Sequence, residues 1–188
     1  MDLEIALLWD KDTPFKQYLT DSGFDCQVLT PQLLAAPFFS WRSCRLVIVP
    51  AGFGHAFYSG VLKDLRANSA FINTFVKAGG TLLVSGALSE RDAYNWLPWG
   101  IKYLREERAV KIEWVNEHKA TAIIEKDECM CDGYFEKIEG DWGIILAAKG
   151  DTDGKAILVA AEYGAGTIIA TTIHEYPSER FIASCMGK

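Results

Sequence analysis

The residues with the clearest chemical potential are small and hydroxyl-bearing side chains that follow a buried strand near the middle of the chain. Residues 77–89 contain, in order, a helix end, a double glycine, a hydrophobic strand and a turn of small residues. This order builds a nucleophile elbow, which holds a catalytic side chain at a strand tip and needs small neighbours on both sides. The pattern centres on Ala87, flanked by Ser85 and Ser89, with Gly86 as the other possible centre. Because neither centre can act as a nucleophile, the sequence predicts the frame of an enzyme without its nucleophile.

The two serines leave a second interpretation open. Ser85 or Ser89 could supply the hydroxyl if the turn were shifted, although a shift to Ser85 would place Leu83 where a bulky side chain is disfavoured. Alternatively, both serines are the small flanking residues that a tight turn requires. No glutaminase nucleophile is assigned in either case.

A histidine and an acid end a glycine hairpin near the C-terminus. His174 and Glu175 follow two predicted strands, 156–162 and 167–172, that are joined by a glycine turn. His174 could be a general base, a ligand contact or a structural residue at a strand end. Glu175 could assist it or belong to the cap of the last helix, which is predicted over 178–185.

A glycine turn follows the strongest predicted strand, residues 45–49. Gly52, Phe53 and Gly54 lie between this strand and a predicted helix, so their backbone N–H groups could line a pocket or cradle an anion. The full glycine fingerprint of a dinucleotide site and the lysine of a phosphate loop are both absent from the sequence. The sequence therefore predicts pocket lining here and no cofactor.

The cysteines and histidines lack the spacing of a metal site. Cys129 and Cys131 are separated by one residue, unlike the CxxC pairs of zinc and redox sites. His55, His118 and His174 are scattered along the chain. We expect no metal, and we interpret the two thiols as residues of a surface strand or turn.

The elements that must position these residues alternate between strand and helix in the first half of the chain. Buried strands are predicted over 3–8, 26–29, 45–49 and 81–84, separated by helical segments. Covered strands joined by helices predict a parallel sheet in a layered α/β fold. Strands 47–49 and 81–84 should then be parallel neighbours, with their following turns at one edge of the sheet. The second half reads as shorter strands that end in the β-hairpin.

Three motifs in this order resemble the class I glutamine amidotransferases. Residues 47–52 resemble the strand and turn that supply an oxyanion hole in that family, 79–89 resemble its elbow, and 163–175 resemble the hairpin that leads to its catalytic histidine. The resemblance implies a flavodoxin-like three-layer α/β fold with a mainly parallel central sheet and a C-terminal β-hairpin.

The resemblance also implies how this chain departs from the active family members. Their elbow cysteine matches Ala87, and the glutamate two residues after their histidine matches Tyr176. The chain is thus more similar to non-catalytic members, such as the amidotransferase-like domains of some β-galactosidases and biotin-ligase-like proteins. This implies a small-ligand-binding or assembly module; the alternative is a hydrolase or transferase that uses Ser85 or Ser89 with His174. The expected pocket residues are Gly52, Phe53, Gly54, Gly86, Ala87 and His174, and the catalytic candidates are Ser85, Ser89, His174 and Glu175.

Length, composition and charge limit the class of protein and its partners. The 188 residues suit one domain over 1–188, and 49% of them are hydrophobic, as in an ordinary globular protein. A net charge of −6 offers no basic surface to nucleic acid. An acidic N-terminus, the lack of a membrane-length apolar run and an odd count of five cysteines without paired spacing favour a cytoplasmic protein without a membrane partner. The partner is expected to be an unknown small molecule or protein, with a homo-oligomer as a further possibility.

Overall fold

The computed structural model of the protein describes residues 3–36, 40–89, 92–150 and 155–187. Its helices are α1 (Pro14–Asp21), α2 (Val61–Lys77) and α3 (Glu179–Cys185), with short 3-10 helices at Pro31–Ala35 and Lys119–Ile123. Its strands are β1 (Ile5–Leu8), β2 (Cys26–Leu29), β3 (Leu46–Val49), β4 (Thr81–Val84), β5 (Lys102–Trp114), β6 (Glu128–Glu136), β7 (Gly143–Ala148), β8 (Ala156–Tyr163) and β9 (Gly166–Thr171). Of the helices in these ranges, none has the length and apolar character needed to span a bilayer.

All nine strands belong to one mixed sheet in the order β2-β1-β3-β4-β9-β8-β6-β5-β7. The five strands from β2 to β9 in this order pair in parallel. The remaining pairings are antiparallel, and β7 also pairs with β8. Strands β8, β6, β5 and β7 therefore close on themselves as a small barrel beside the parallel strands.

The flavodoxin-like three-layer fold with a mainly parallel sheet, which the sequence predicted, is wrong. Five of the nine strand pairings are antiparallel, four strands close a barrel, and only three α-helices occur in the described ranges. The cause is the second half of the chain, where long antiparallel strands replace the further strand–helix units that a flavodoxin-like fold needs. Strand β5 alone runs for 13 residues and carries a bulge between Arg105 and Arg108.

The first half and the last hairpin follow local sequence preference more closely. Strands β1, β3, β4 and β9 are buried along their whole length, as strands covered on both faces should be. Strands β8 and β9 form the predicted hairpin, from Leu158 opposite Thr171 to Tyr163 opposite Gly166. Helix α1 begins after Thr13, whose side chain accepts a hydrogen bond from the Phe15 N–H.

The carboxyl ends of the parallel strands meet at one edge of the sheet. Strands β3 and β4 are parallel neighbours, as predicted, with Leu46 opposite Thr81 and Val49 opposite Val84. The turns that follow β3 and β4 are also hydrogen-bonded to each other, since the Gly52 N–H donates to the Gly86 carbonyl at 2.8 Å. This edge is where open parallel sheets generally bind ligands.

Candidate functional site

A cavity of about 370 Å³ opens at the carboxyl edge of the parallel strands. The ends of β3, β4 and β9 and the start of α1 form its wall. The lining residues are Thr13, Phe15, Pro50, Ala51, Ser85, Ile173, His174, Glu175, Tyr176 and Pro177. Its volume lies in the range of small-molecule sites, and its surface combines aromatic rings with a few polar groups.

His174 is held in the cavity wall by a carboxylate from another strand. Its backbone N–H donates to the Met130 carbonyl at 2.9 Å, which fixes the segment after β9 against β6. Its Nδ1 lies 2.9 Å from Oδ1 of Asp132. The imidazole is 63% exposed, whereas the Asp132 side chain is only 6% exposed. An exposed ring is thus oriented by a buried acid.

The backbone of Asp132 is fixed on both sides. Its N–H donates to the Thr172 carbonyl at 2.8 Å, and its carbonyl accepts from the Tyr103 hydroxyl at 2.8 Å. Its carboxylate packs against Gly86, where a Cβ would lie 2.8 Å from Asp132 Oδ2. The missing side chain at Gly86 therefore makes the room that the carboxylate occupies.

The Asp132 carboxylate is incompletely satisfied. Its Oδ2 is buried and has no hydrogen-bond partner among the described residues. Burial raises the pKa of Asp132, while the His174 ring and its hydrogen bond oppose this shift. A buried acid with one unpartnered oxygen costs stability.

The hydrogen bond to Asp132 sets the chemistry of the imidazole. An ionised carboxylate accepts a hydrogen, so Nδ1 carries the proton of the neutral ring and Nε2 carries the lone pair. His174 can then accept a hydrogen bond or a proton through Nε2.

Ser85 lies on the same wall as His174. Its N–H donates to the Val49 carbonyl at 3.0 Å, which extends the β3–β4 pairing by one residue, and its carbonyl accepts from the Tyr94 hydroxyl at 2.7 Å. Ser85 is one of the residues that line the cavity. Within the described part of the chain, no hydrogen bond joins the Ser85 hydroxyl to His174.

The other residues expected to line a pocket lie behind the cavity wall. Among the described residues that line the cavity, His174 is the one member of the predicted pocket set that is present. Ala87 and Phe53 are fully buried in the core, and Phe53 packs edge-on against Tyr94. A Cβ at Gly54 would lie 3.0 Å from Ala87 Cβ, so the predicted elbow centre faces the neighbouring turn.

Ser89 belongs to the same turn–turn contact. Its Oγ would lie 2.8 Å from a Cβ at Gly54, and the cavity lining does not include it. Between Ala87 and Ser89, Leu88 adopts a left-handed backbone with φ of 55°. Such a conformation is uncommon for a leucine and marks this tight turn as strained.

Glu175 and Tyr176 complete the wall after His174. Glu175 accepts a hydrogen bond from the Met130 N–H at 3.0 Å, and its other oxygen is buried without a described partner. The Tyr176 ring stacks on Phe15 with centroids 4.7 Å apart and planes 9° apart, and it also stacks on Tyr18. An aromatic stack therefore holds Tyr176, the residue that the sequence resemblance matches to a glutamate.

Cys129 and Cys131 are core residues of β6, so the interpretation as surface thiols is wrong. Both side chains are buried, and their sulfur atoms lie 3.6 Å apart. Their mutual hydrogen bond raises the pKa of the Cys129 thiol and lowers that of the Cys131 thiol. Across the described ranges, the structure has no cluster of three or more histidine, cysteine or acidic side chains suited to a metal ion.

Asp132 is the site residue that sequence reasoning missed. It lies 42 positions before His174, and β6 shows no local motif that would link the two. The available signal was weak: an acid in the middle of a strand, followed by a glycine. Thr13 and Phe15, at the start of α1, were also not foreseen as lining residues.

No family model matches the sequence, and no curated protein matches it. Solved structures do resemble it. A cytoplasmic protein from Salmonella typhimurium superposes with a TM-score of 0.64 at 13% identity over 97% of both chains. A cytoplasmic protein from Salmonella typhimurium LT2 gives 0.59 at 12% identity over 96% of this chain and 93% of that one.

A β-galactosidase from Rahnella sp. R3 is similar over the full length of this chain, with a TM-score of 0.61 at 14% identity. The chain spans 30% of that enzyme. At these identities, the comparisons show a shared fold.

Proposed function

We propose that the chain is a class I glutamine amidotransferase-like domain that binds a small ligand and lacks glutaminase chemistry. The observation that carries the proposal is the cavity at the carboxyl edge of the parallel strands, with His174 held in its wall by Asp132. The structural likeness to part of a β-galactosidase supports the superfamily assignment.

The lining suggests the chemistry of the ligand. No lysine or arginine occurs among the described lining residues, and Glu175 adds a carboxylate, so a phosphorylated ligand would find no cation. Phe15 and Tyr176 offer aromatic surface, while Ser85 and His174 Nε2 offer hydrogen-bonding capacity. We propose an uncharged or weakly charged molecule with a ring or apolar body and a polar group directed at His174.

The same geometry argues against glutamine hydrolysis. The residue in the cysteine position, Ala87, is buried against the neighbouring turn. The residue in the glutamate position, Tyr176, is held in an aromatic stack. Both departures remove groups on which that mechanism depends.

We further propose a cytoplasmic setting. The five cysteines are free thiols, as expected of a protein in a reducing compartment. Two of the similar solved proteins are named as cytoplasmic proteins.

The test is thermal unfolding against a panel of monosaccharides, amino acids, amides and nucleosides. A bound compound at 100 times its Kd stabilises the folded state by about 2.7 kcal/mol. Ala51→Leu places extra bulk in the cavity wall, and Ala67→Leu places the same bulk on the exposed face of α2. We expect a compound that raises the Tm of the wild type and of Ala67→Leu but leaves that of Ala51→Leu unchanged. A panel without any active compound, or one whose effect survives in Ala51→Leu, would contradict the proposal.

A further inference from the structure

We propose that Ser85 is an acyl-accepting nucleophile, with His174 as its general base and Asp132 as the positioning residue of that base. This activity goes beyond ligand binding and rests on the same cavity. Its substrate class is a small ester with an aromatic or apolar group.

The base is already assembled. Asp132 Oδ1 accepts from His174 Nδ1 at 2.9 Å, which leaves the Nε2 lone pair free to take a proton. An exposed imidazole with a buried carboxylate behind it is the arrangement used by hydrolases with a serine, a histidine and an acid.

Ser85 shares the cavity wall with His174. Its main chain is held by Val49 and by the Tyr94 hydroxyl, and it is one of the residues that line the cavity beside His174. The hydrogen bond between nucleophile and base often forms only when substrate is bound, so its absence from the described residues does not disqualify the pair.

One backbone group that lines the cavity is available for the oxyanion. The N–H group of Ala51 donates no hydrogen bond to any described residue. Ala51 follows the neighbouring strand β3 and lines the cavity. Serine hydrolases of the elbow type draw one of their oxyanion donors from the turn after a neighbouring strand.

The step is an ordinary acyl transfer. Ser85 Oγ attacks the ester carbonyl carbon, and the hydroxyl proton passes to His174 Nε2. The bond from that carbon to the alcohol oxygen breaks, and the alcohol leaves with the proton from Nε2. Water then attacks the acyl-serine with His174 again as base, which releases the acid and restores Ser85.

The experiment treats the full chain with a fluorophosphonate and maps the adduct by mass spectrometry. We expect one stoichiometric adduct on Ser85, because a serine beside a base displaces fluoride from phosphorus. The site of labelling is read on the wild type, so the result does not depend on whether a variant folds. Ser69→Ala, on α2, is the matched control and should label as the wild type does.

Variants of the base give the second measurement. His174→Ala should slow the labelling of Ser85 by about 10²-fold or more, and added imidazole should restore part of the rate. Asp132→Asn should slow it comparably and should also mix the two tautomers of the His174 ring, a spectroscopic change that loss of stability alone would not produce.

The outcomes separate this activity from ligand binding. No adduct on Ser85, or a Ser85 adduct whose rate does not depend on His174, would overturn the acyl-transfer proposal. A compound that shifts the Tm through the cavity would still support binding in that case. Labelling of Ser85 without any Tm shift would support the activity and leave the binding proposal contradicted.

Discussion

Asp132 orients His174 at the expense of leaving one carboxylate oxygen unpaired in the interior. Burial raises the pKa of Asp132 above its ordinary value near 3.8, although the His174 ring opposes the shift. The folded state then keeps this proton to a higher pH than the unfolded state does. The free energy of unfolding should therefore fall as the pH rises from about 3.8 through the pKa of the folded protein.

Asp132→Asn removes that titration. We expect urea unfolding at a series of pH values to show the decrease in the wild type and to show a smaller decrease in the variant. An identical pH dependence of the two proteins would mean that Asp132 does not titrate with a raised pKa.

Gly86 is the second residue on which the site depends. A Cβ there would meet Asp132 Oδ2 at 2.8 Å, so Gly86→Ala should displace the carboxylate and cost about 1–3 kcal/mol of unfolding free energy. Gly143→Ala is the control, since its Cβ would meet no atom closer than 3.7 Å. Chemical denaturation measures both. Equal costs for the two variants would refute the contact between Gly86 and Asp132.

The packing of the turn after β4 decides whether a side chain at position 87 can reach the cavity. Ala87→Cys should release no ammonia from glutamine above a heat-treated control, because position 87 is packed against Gly54 behind the cavity wall. The double variant Ala87→Cys with Tyr176→Glu should also remain inactive, since the sulfur would still be buried. Glutaminase turnover by either variant, or by the wild type, would contradict the placement of this turn.

Sequence reasoning succeeded where the fold is local. The apolar runs of β1, β3 and β4 and the glycine turn of the last hairpin appear in the sequence as they appear in the structure. It underestimated the length of β5, where exposed residues such as Arg105 and Glu107 alternate with less exposed neighbours. Barrel closure by β7 and β8 depends on pairings between distant strands, which single-sequence patterns do not report.

The candidate site was predicted only in part for a related reason. His174 and Ser85 each follow a strand that could be recognised from its own sequence. Asp132 lies on β6, which the sheet order β9-β8-β6 brings close to the end of β9. No spacing rule in the sequence predicts a contact between residues of such distant strands.

The hairpin of β8 and β9 connects the parallel strands to the barrel. Strand β9 pairs with β4 on the parallel side, and β8 pairs with β6 and β7 on the barrel side. We therefore propose that the chain folds as one domain. Far-UV circular dichroism and tryptophan fluorescence should report a single coincident unfolding transition. Two separated transitions would show that the barrel and the parallel strands unfold independently.

Both the proposed ligand binding and the proposed acyl transfer depend on the pairing of His174 with Asp132 beside the cavity. Long-range 1H–15N NMR of the histidine rings measures that pairing directly. His174→Gln assigns the resonance among the three histidines. We predict that neutral His174 carries its proton on Nδ1 in the wild type, and that the two tautomers mix in Asp132→Asn. A wild-type ring protonated on Nε2, or a tautomer balance that Asp132→Asn leaves unchanged, would contradict the account.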